Sequence, residues 1–233
     1  MNEDVVPTGC DGLDSLLGGG FDRGTVTQLY GPPGSGKTNV GLSAAVETVS
    51  AGGTTLFIDT EGLSLERFEQ VLSGRVDDVE DAAARVIVKE VHDFDEQAEA
   101  VQDATEFADR ADLVVLDSAT GFYRLRRTAD EEAGDALRQV ADQVTHLLSL
   151  ARKHHLAVVI TNQVFTDPES ESGRTRPLGG HTLTHWTGTV VRLDRFKGGK
   201  RRATLEKHRS RPEGETAQFR ITDTGIKSGG EPR

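Results

Sequence analysis

Gly31-Pro32-Pro33-Gly34-Ser35-Gly36-Lys37-Thr38 is the stretch that decides the fold, because it has the spacing of a phosphate-binding loop. Its glycines let backbone N–H groups wrap around phosphates, and the N-terminus of a following helix adds a favourable dipole. Lys37 is expected to reach the β- and γ-phosphates, and the hydroxyl of Thr38 is expected to bind Mg²⁺. Residues 31–38 therefore predict a site for a nucleoside triphosphate and its metal ion.

The hydrophobic pattern supplies the strand before this loop and the helix after it, which is the context that the motif requires. Apolar runs alternate with amphipathic stretches along the chain, which indicates βα repeats and a mostly parallel sheet. We predict strands over residues 26–30, 54–58, 85–88, 113–116 and 156–161, and helices over residues 37–50, 95–108 and 135–154. The fold class is α/β, a twisted sheet flanked by helices.

The pattern changes in the last quarter of the chain. Residues 190–196 and 201–207 flank Gly198-Gly199, a two-residue hairpin signal, and residues 216–222 form a further strand. We therefore expect an antiparallel extension of the sheet at its C-terminal side. Residues 119–134 and 164–180 lack any periodicity, and loops this long in a compact domain are usually functional or disordered. The length of 233 residues suits one domain over residues 1–233.

The composition is acidic, with 38 Asp and Glu against 27 Lys and Arg and a net charge of −11. Such a balance fits either an ordinary acidic cytosolic protein or adaptation to high intracellular salt, where surface carboxylates keep a protein soluble. No apolar run approaches the roughly 18 residues that span a membrane. The N-terminus lacks the apolar core of a signal peptide, and the single cysteine excludes a disulfide within the chain. We expect a cytoplasmic protein without membrane contact.

Two carboxylates follow predicted strands at the edge where the phosphate-binding loop should lie. Asp117 ends the apolar run 113–116, where a carboxylate can hold Mg²⁺; buried strands also end in Asp simply to cap a helix. Glu61 follows the strand after the loop, where ligands of open parallel sheets bind. It can orient and deprotonate an attacking water, or it can merely complement a helix dipole.

Further segments match one family in its own order, and the resemblance covers nearly the whole chain. The sequence resembles the RecA/RadA-type recombinases, and it looks like a core-only archaeal paralogue of them. The matching segments are residues 8–14 (TGCDGLD), 18–20 (GGG), 58–62 (IDTEG), 117–120 (DSAT), 123–124 (YR), 160–164 (ITNQV) and 179–185 (GGHTLTH). The resemblance implies a RecA-like P-loop NTPase core that uses ATP and Mg²⁺.

The same resemblance implies roles for single residues. It makes Glu61, Lys37 and Gln163 catalytic, with Gln163 sensing the γ-phosphate, and it makes Thr38 and Asp117 the metal ligands. Arg67 resembles an arginine that packs on adenine, and His185 resembles a histidine near the γ-phosphate at a subunit interface; each is otherwise an ordinary surface or loop residue. Residues 119–134 and 164–180 resemble the two DNA-binding loops. The residues implied in DNA binding are Tyr123, Arg124, Arg126, Arg127, Arg174 and Arg176.

Lys207 and Arg209 resemble a Lys-x-Arg element that reaches the nucleotide of a neighbouring subunit, although a solvated basic face is the alternative. Residues 192–211 hold nine Lys or Arg against two acids, a second basic cluster that is either a DNA contact or a solvated hairpin. Because phosphate contacts weaken steeply with salt, we expect weak, sequence-tolerant DNA binding that prefers single strands and uses base stacking on Tyr123 or Phe122.

Two departures from the family pattern shape the expected function. Only 30 residues precede Gly31, which leaves no room for the helical DNA-binding domain of these recombinases, and no Phe is followed by Ala three positions on. We therefore expect an accessory that assists the main archaeal recombinase RadA, with at most weak ATPase activity, some self-association and no strand exchange of its own. The alternatives are an active strand-exchange recombinase and a KaiC-like signalling ATPase.

Overall fold

The computed structural model describes residues 4–123, 130–166 and 175–229. In these residues the helices are α1 (Asp11–Leu17), α2 (Lys37–Ser50), α3 (Leu65–Ser73), α4 (Val79–Ala83), α5 (Phe94–Phe107), α6 (Asp130–His154) and α7 (Gly180–Trp186). The strands are β1 (Val5–Val6), β2 (Phe21–Asp22), β3 (Val26–Tyr30), β4 (Thr55–Asp59), β5 (Val86–Glu90), β6 (Leu113–Asp117), β7 (Ala157–Asn162), β8 (Val164–Thr166), β9 (Thr175–Pro177), β10 (Thr189–Arg195), β11 (Lys200–Lys207), β12 (Thr216–Thr222) and β13 (Gly225–Ser228).

Nine strands form the central sheet, in the order β13-β12-β11-β10-β3-β7-β6-β4-β5. The six strands from β10 to β5 run parallel to one another. The remaining three pair antiparallel, which confirms the predicted C-terminal extension. Because parallel strands point the same way, the ends of β3, β4, β6 and β7 meet at one edge of the sheet. The phosphate-binding loop follows β3 at that edge.

Strands β3, β4, β6 and β7 are buried along their whole length, which explains their Val-, Leu- and Ile-rich sequences. One face of the sheet packs against α5, α6 and α7, and the other packs against α1 and α2. A smaller cluster joins α2 to α3 and α4. Each fully buried Leu or Val contributes about 1.5–3 kcal/mol, so the packing on both faces stabilises the sheet that carries the loop.

The predicted strands and helices in the central sheet are confirmed to within a few residues, but three expectations near loops were wrong. The β10–β11 turn spans the three residues Lys197–Gly199 and not two, and both of its glycines have φ near 75°, in the left-handed region. The first predicted loop is shorter, because α6 begins at Asp130. The second contains an antiparallel pair, β8 with β9. Strands of three residues are too short to show an alternating hydrophobic pattern in the sequence.

Candidate functional site

The phosphate-binding loop depends on glycine at two points. Gly36 has φ 103° and caps the start of α2, which aims the helix N-terminus at the loop. A Cβ on Gly31 would lie 2.2 Å from the carbonyl oxygen of Leu193 in the neighbouring strand. The local sequence therefore forces the strand–turn–helix path that a phosphate group requires.

The ammonium group of Lys37 lies over this loop and is nearly buried, with 8% of the residue exposed. It donates to the carbonyl oxygen of Gly31 at 3.0 Å and to that of Pro32 at 3.4 Å. Burial lowers the pKa of Lys37, whereas the carboxylates of Glu61 and Asp117 act to raise it. The arrangement places one cation and two anions around the mouth of the loop.

Asp117 is buried at the end of β6 and has one carboxylate oxygen without a hydrogen-bond partner. Its Oδ1 accepts a hydrogen bond from the hydroxyl of Thr161, while its buried Oδ2 has no hydrogen-bond partner. Burial raises the pKa of Asp117 to about 6, against the lowering effect of the hydroxyls of Thr161 and Thr38. Since Mg²⁺ takes one or two protein oxygens and completes its shell with water and phosphates, these residues fit the ion.

No group of three or more His, Cys, Asp or Glu side chains that could hold a metal occurs in the described part of the chain. A metal site built wholly from protein ligands is thus not found among those residues. A site completed by nucleotide phosphates needs no such group.

Glu61 and Gln163 lie side by side at the ends of β4 and β7. Gln163 Nε2 donates to Glu61 Oε1 at 3.0 Å, which brings together two residues that are 102 positions apart. The predicted catalytic pair therefore meets on the same side of the loop as Lys37, whose pKa responds to the charge of Glu61.

Two residues that sequence reasoning missed hold Glu61 in place. The buried carboxylate of Asp59 accepts hydrogen bonds from the backbone N–H groups of Glu61, Gly62 and Leu63. Thr60 donates its hydroxyl to the carbonyl of Ser118 and accepts the Ser118 N–H, which ties this segment to β6. The Asp-x-x-Gly spacing after a strand is typical of a side chain that closes a turn, and it could have identified Asp59.

Arg67 lies beside the first turn of α2. Its guanidinium donates to Asn39 Oδ1 at 3.1 Å and to the carbonyl of Thr222 at 2.7 Å. It also donates to the backbone carbonyl of Asp223 at 3.2 Å, in the β12–β13 turn. These contacts are more specific than those of a solvated helix arginine, and contact with adenine stays a prediction.

His185, Lys207 and Arg209 lie at the opposite edge of the sheet from the phosphate-binding loop. They line a cavity of about 340 Å³ next to Gly188, whose N–H donates to Val26 at the first residue of β3. Lys207 donates to the carbonyls of Thr184 and Thr187 at 2.7 and 2.6 Å, so it caps the end of α7. These three residues lie away from the phosphate-binding loop of their own chain, and their contact with the nucleotide of a neighbouring subunit stays a prediction.

The predicted DNA-binding residues differ in how far the structure exposes them. Tyr123 is buried in the core with 6% exposure, so in this conformation a base cannot stack on it, which corrects that expectation. Phe122 is only partly buried against the same core. Arg176 is exposed on β9. Arg124, Arg126, Arg127 and Arg174 lie outside the described residues.

Part of the second basic cluster is engaged within the protein. Arg192 forms ion pairs with Asp194 and Glu206, and Arg202 pairs with Asp194. Arg201 reaches across to the phosphate-binding loop, where Nη2 lies 3.4 Å from the carbonyl oxygen of Gly34. The solvated-hairpin interpretation is thus too simple for these three arginines.

Comparison with known proteins agrees with the fold. The profile of the Rad51 family matches residues 4–229. The DNA repair and recombination protein RadB of Halobacterium salinarum is 70% identical over 228 residues, or 97% of each chain. RadB of Methanococcoides burtonii is 42% identical over 219 residues, which cover 94% of this chain and 95% of that one. A crystal structure of the RadB recombinase, 37% identical, matches with a TM-score of 0.82 over 97% of this chain and 100% of that one.

Proposed function

The chain belongs to the Rad51 family, whose RadB members it matches along nearly its whole length, and we propose that it is an ATP-binding accessory protein of homologous recombination and DNA repair. The family and the RecA-like fold confirm the resemblance drawn from the sequence. The match to a Halobacterium protein also agrees with the high-salt interpretation of the acidic composition. Within the described residues, no helix is long and apolar enough to cross a membrane.

The observation that carries the nucleotide proposal is the unpartnered Oδ2 of Asp117 beside Thr38 and Lys37. A buried carboxylate oxygen without a partner is costly, and a metal ion bound to it would remove that cost. ATP would lie on the backbone N–H groups of residues 34–38, since Pro32 and Pro33 have none, and Mg²⁺ would be held by Thr38 and Asp117. The metal ion supplies charge neutralisation at the phosphates.

The contact between Glu61 and Gln163 supports slow turnover. Glu61 would accept the proton of the attacking water, and Gln163 would orient its carboxylate and sense the γ-phosphate. In the present conformation the Gln163 amide occupies one oxygen of that carboxylate. Slow hydrolysis would give a long-lived ATP-bound state, which suits a protein whose bound ATP controls its contacts with partners.

We assign DNA and the recombinase RadA as the partners of this ATP-bound state. The net charge of −11 disfavours tight electrostatic DNA binding, because each phosphate contact loses affinity with salt. The absence of a Phe-x-x-Ala element from the sequence supports an accessory over an independent strand-exchange enzyme. The Rad51 family match supports a role on DNA over a KaiC-like signalling role.

A pull-down of RadA by the tagged protein, with and without ATP and Mg²⁺, tests this proposal. We expect retention of RadA that depends on ATP in the wild type and is lost in Lys37→Ala. A matched control is Lys153→Ala, which removes a lysine from the last turn of α6, far from the loop. Strand exchange by the protein alone, or no retention of RadA in either state, would contradict the accessory role.

A further inference from the structure

The buried hydroxyl of Thr120 connects the starts of the two predicted DNA loops. It donates to Asn162 Oδ1 at 2.8 Å and accepts the backbone N–H of Gln163 at 3.3 Å. Thr120 and Asn162 are both fully buried, with 0% exposure. Thr120 is the second residue of the first loop (119–134), and the second loop (164–180) begins just after Gln163, so one side chain contacts the base of both.

The far end of the second loop joins the same network. Asn162 Nδ2 donates to the carbonyl oxygen of Leu178 at 2.8 Å. The N–H of Leu178 in turn donates to the carbonyl of Gln163 at 2.9 Å. We call Thr120, Asn162 and Leu178 the loop clasp, since their hydrogen bonds close a ring around the bases of both loops.

The loop clasp is contiguous with the nucleotide site. Gln163, whose backbone bonds to both Thr120 and Leu178, contacts Glu61 through its side chain at 3.0 Å. Because the clasp groups are buried, water cannot replace a bond that is broken, and losing one leaves an unsatisfied polar group. A movement of Gln163 must therefore either carry the other loop bases with it or break a buried bond.

We propose that Thr120 and Asn162 are positioning residues that make the two DNA loops respond to the nucleotide as one unit. This inference rests on the proposed function, since it takes ATP at the phosphate-binding loop as the input. It assigns the route from Gln163 to the first loop through the Thr120 hydroxyl. The competing route runs along the backbone from the metal ligand Asp117, three residues before Thr120.

Amide hydrogen exchange separates the two routes. In the wild type, ATP with Mg²⁺ should slow exchange in residues 119–123 and 176–180 over the same range of ATP concentration. Thr120→Val removes the hydroxyl at nearly constant volume, so protection of 119–123 should be lost while that of 176–180 persists. Thr120→Ser retains the hydroxyl and should restore protection of both segments.

DNA affinity gives a second readout. Couplings between sites typically change affinity about 5- to 150-fold, so ATP should alter the wild-type affinity for single-stranded DNA within about that range. In Thr120→Val this ATP effect should fall to about twofold or less, because the clasp no longer transmits it. The affinity for ATP itself should stay within about twofold, which a general loss of structure would not allow.

The outcomes are distinguishable. If ATP protects residues 119–123 equally in Thr120→Val and the wild type, the signal travels through Asp117 and the clasp proposal is wrong. If the wild type binds no ATP, and exchange in both segments is therefore the same with and without ATP, the proposed function is wrong, and the clasp proposal that rests on it is wrong too. If Thr120→Val does not fold, Thr120→Ala repeats the test, because it removes the hydroxyl without putting a methyl group in its place. The exchange profile of the wild type needs no variant.

Discussion

At the scale of single residues, Glu61 is the proposed general base of ATP hydrolysis. Glu61→Gln preserves the oxygen that accepts from Gln163, so the affinity for ATP should be unchanged. The variant cannot take a proton, and the loss of a general base typically costs about 10²–10⁴ in rate. Single-turnover hydrolysis of radiolabelled ATP measures this. A wild-type rate already at background would favour a switch, and faster hydrolysis in the variant would exclude Glu61 as the base.

Asp117 makes a separate prediction about pH. Burial raises its pKa from 3.8 to about 6, so the folded state binds the proton more tightly than the unfolded chain does. In metal-free buffer its contribution to stability is therefore greatest below the unfolded pKa and is lost as the pH rises through about 6. The free energy of unfolding of the wild type, relative to Asp117→Asn, should fall by about 1 kcal/mol between about pH 5 and about pH 7.

Urea titrations at several pH values give this difference. A difference that does not change with pH would mean that the carboxyl of Asp117 is ionised throughout. The same variant should weaken ATP binding more in the presence of Mg²⁺ than in its absence. Equal losses would show a structural aspartate.

At the scale of elements, long buried strands were predictable and short contacts were not. The apolar composition of residues 113–116 predicted a buried strand, and the spacing of residues 31–38 predicted the phosphate-binding loop. The β8–β9 pair depends on three residues in each strand, too few for a period to appear. The Asp59 turn left only its Asp-x-x-Gly spacing as a signal. Tyr123 looked like an exposed loop aromatic because only the packing of α5 and α6 shows that its ring is covered.

The first loop carries the element-scale prediction. Replacing Arg124, Arg126 and Arg127 together by Ala should weaken DNA binding uniformly across sequences, because phosphate contacts carry no base information. ATP binding should be unchanged. On single strands, the slope of log affinity against log salt should flatten by about 0.7 for each phosphate that the variant no longer neutralises.

The matched control for this variant is the double change Lys197→Ala and Lys200→Ala in the exposed β10–β11 turn. It removes positive charge without disturbing Arg201 at the phosphate-binding loop or the ion pairs of Arg202. Fluorescence anisotropy with a labelled single strand compares the two. If the hairpin variant loses the salt slope and the loop variant keeps it, DNA binds at the hairpin.

At the scale of the whole molecule, the net charge of −11 predicts that stability depends on salt. Repulsion between surface carboxylates destabilises the compact state, and salt screens that repulsion. The free energy of unfolding should therefore rise steeply as KCl is raised from dilute buffer to molar concentrations. Thermal or urea unfolding monitored by circular dichroism measures it. Full stability in dilute buffer would exclude adaptation to high salt and favour the interpretation as an ordinary acidic cytosolic protein.

The nucleotide site itself is tested by equilibrium binding of ATP, with and without Mg²⁺, to the wild type and to Lys37→Ala in concentrated KCl. The wild type should bind one ATP per chain and bind it more tightly with Mg²⁺, since Thr38 and the unpartnered oxygen of Asp117 are the proposed ligands of the metal ion. Lys37→Ala should lose this binding, because the lysine neutralises the β- and γ-phosphates. Undiminished affinity in Lys37→Ala, or wild-type binding indifferent to Mg²⁺, would contradict the nucleotide site.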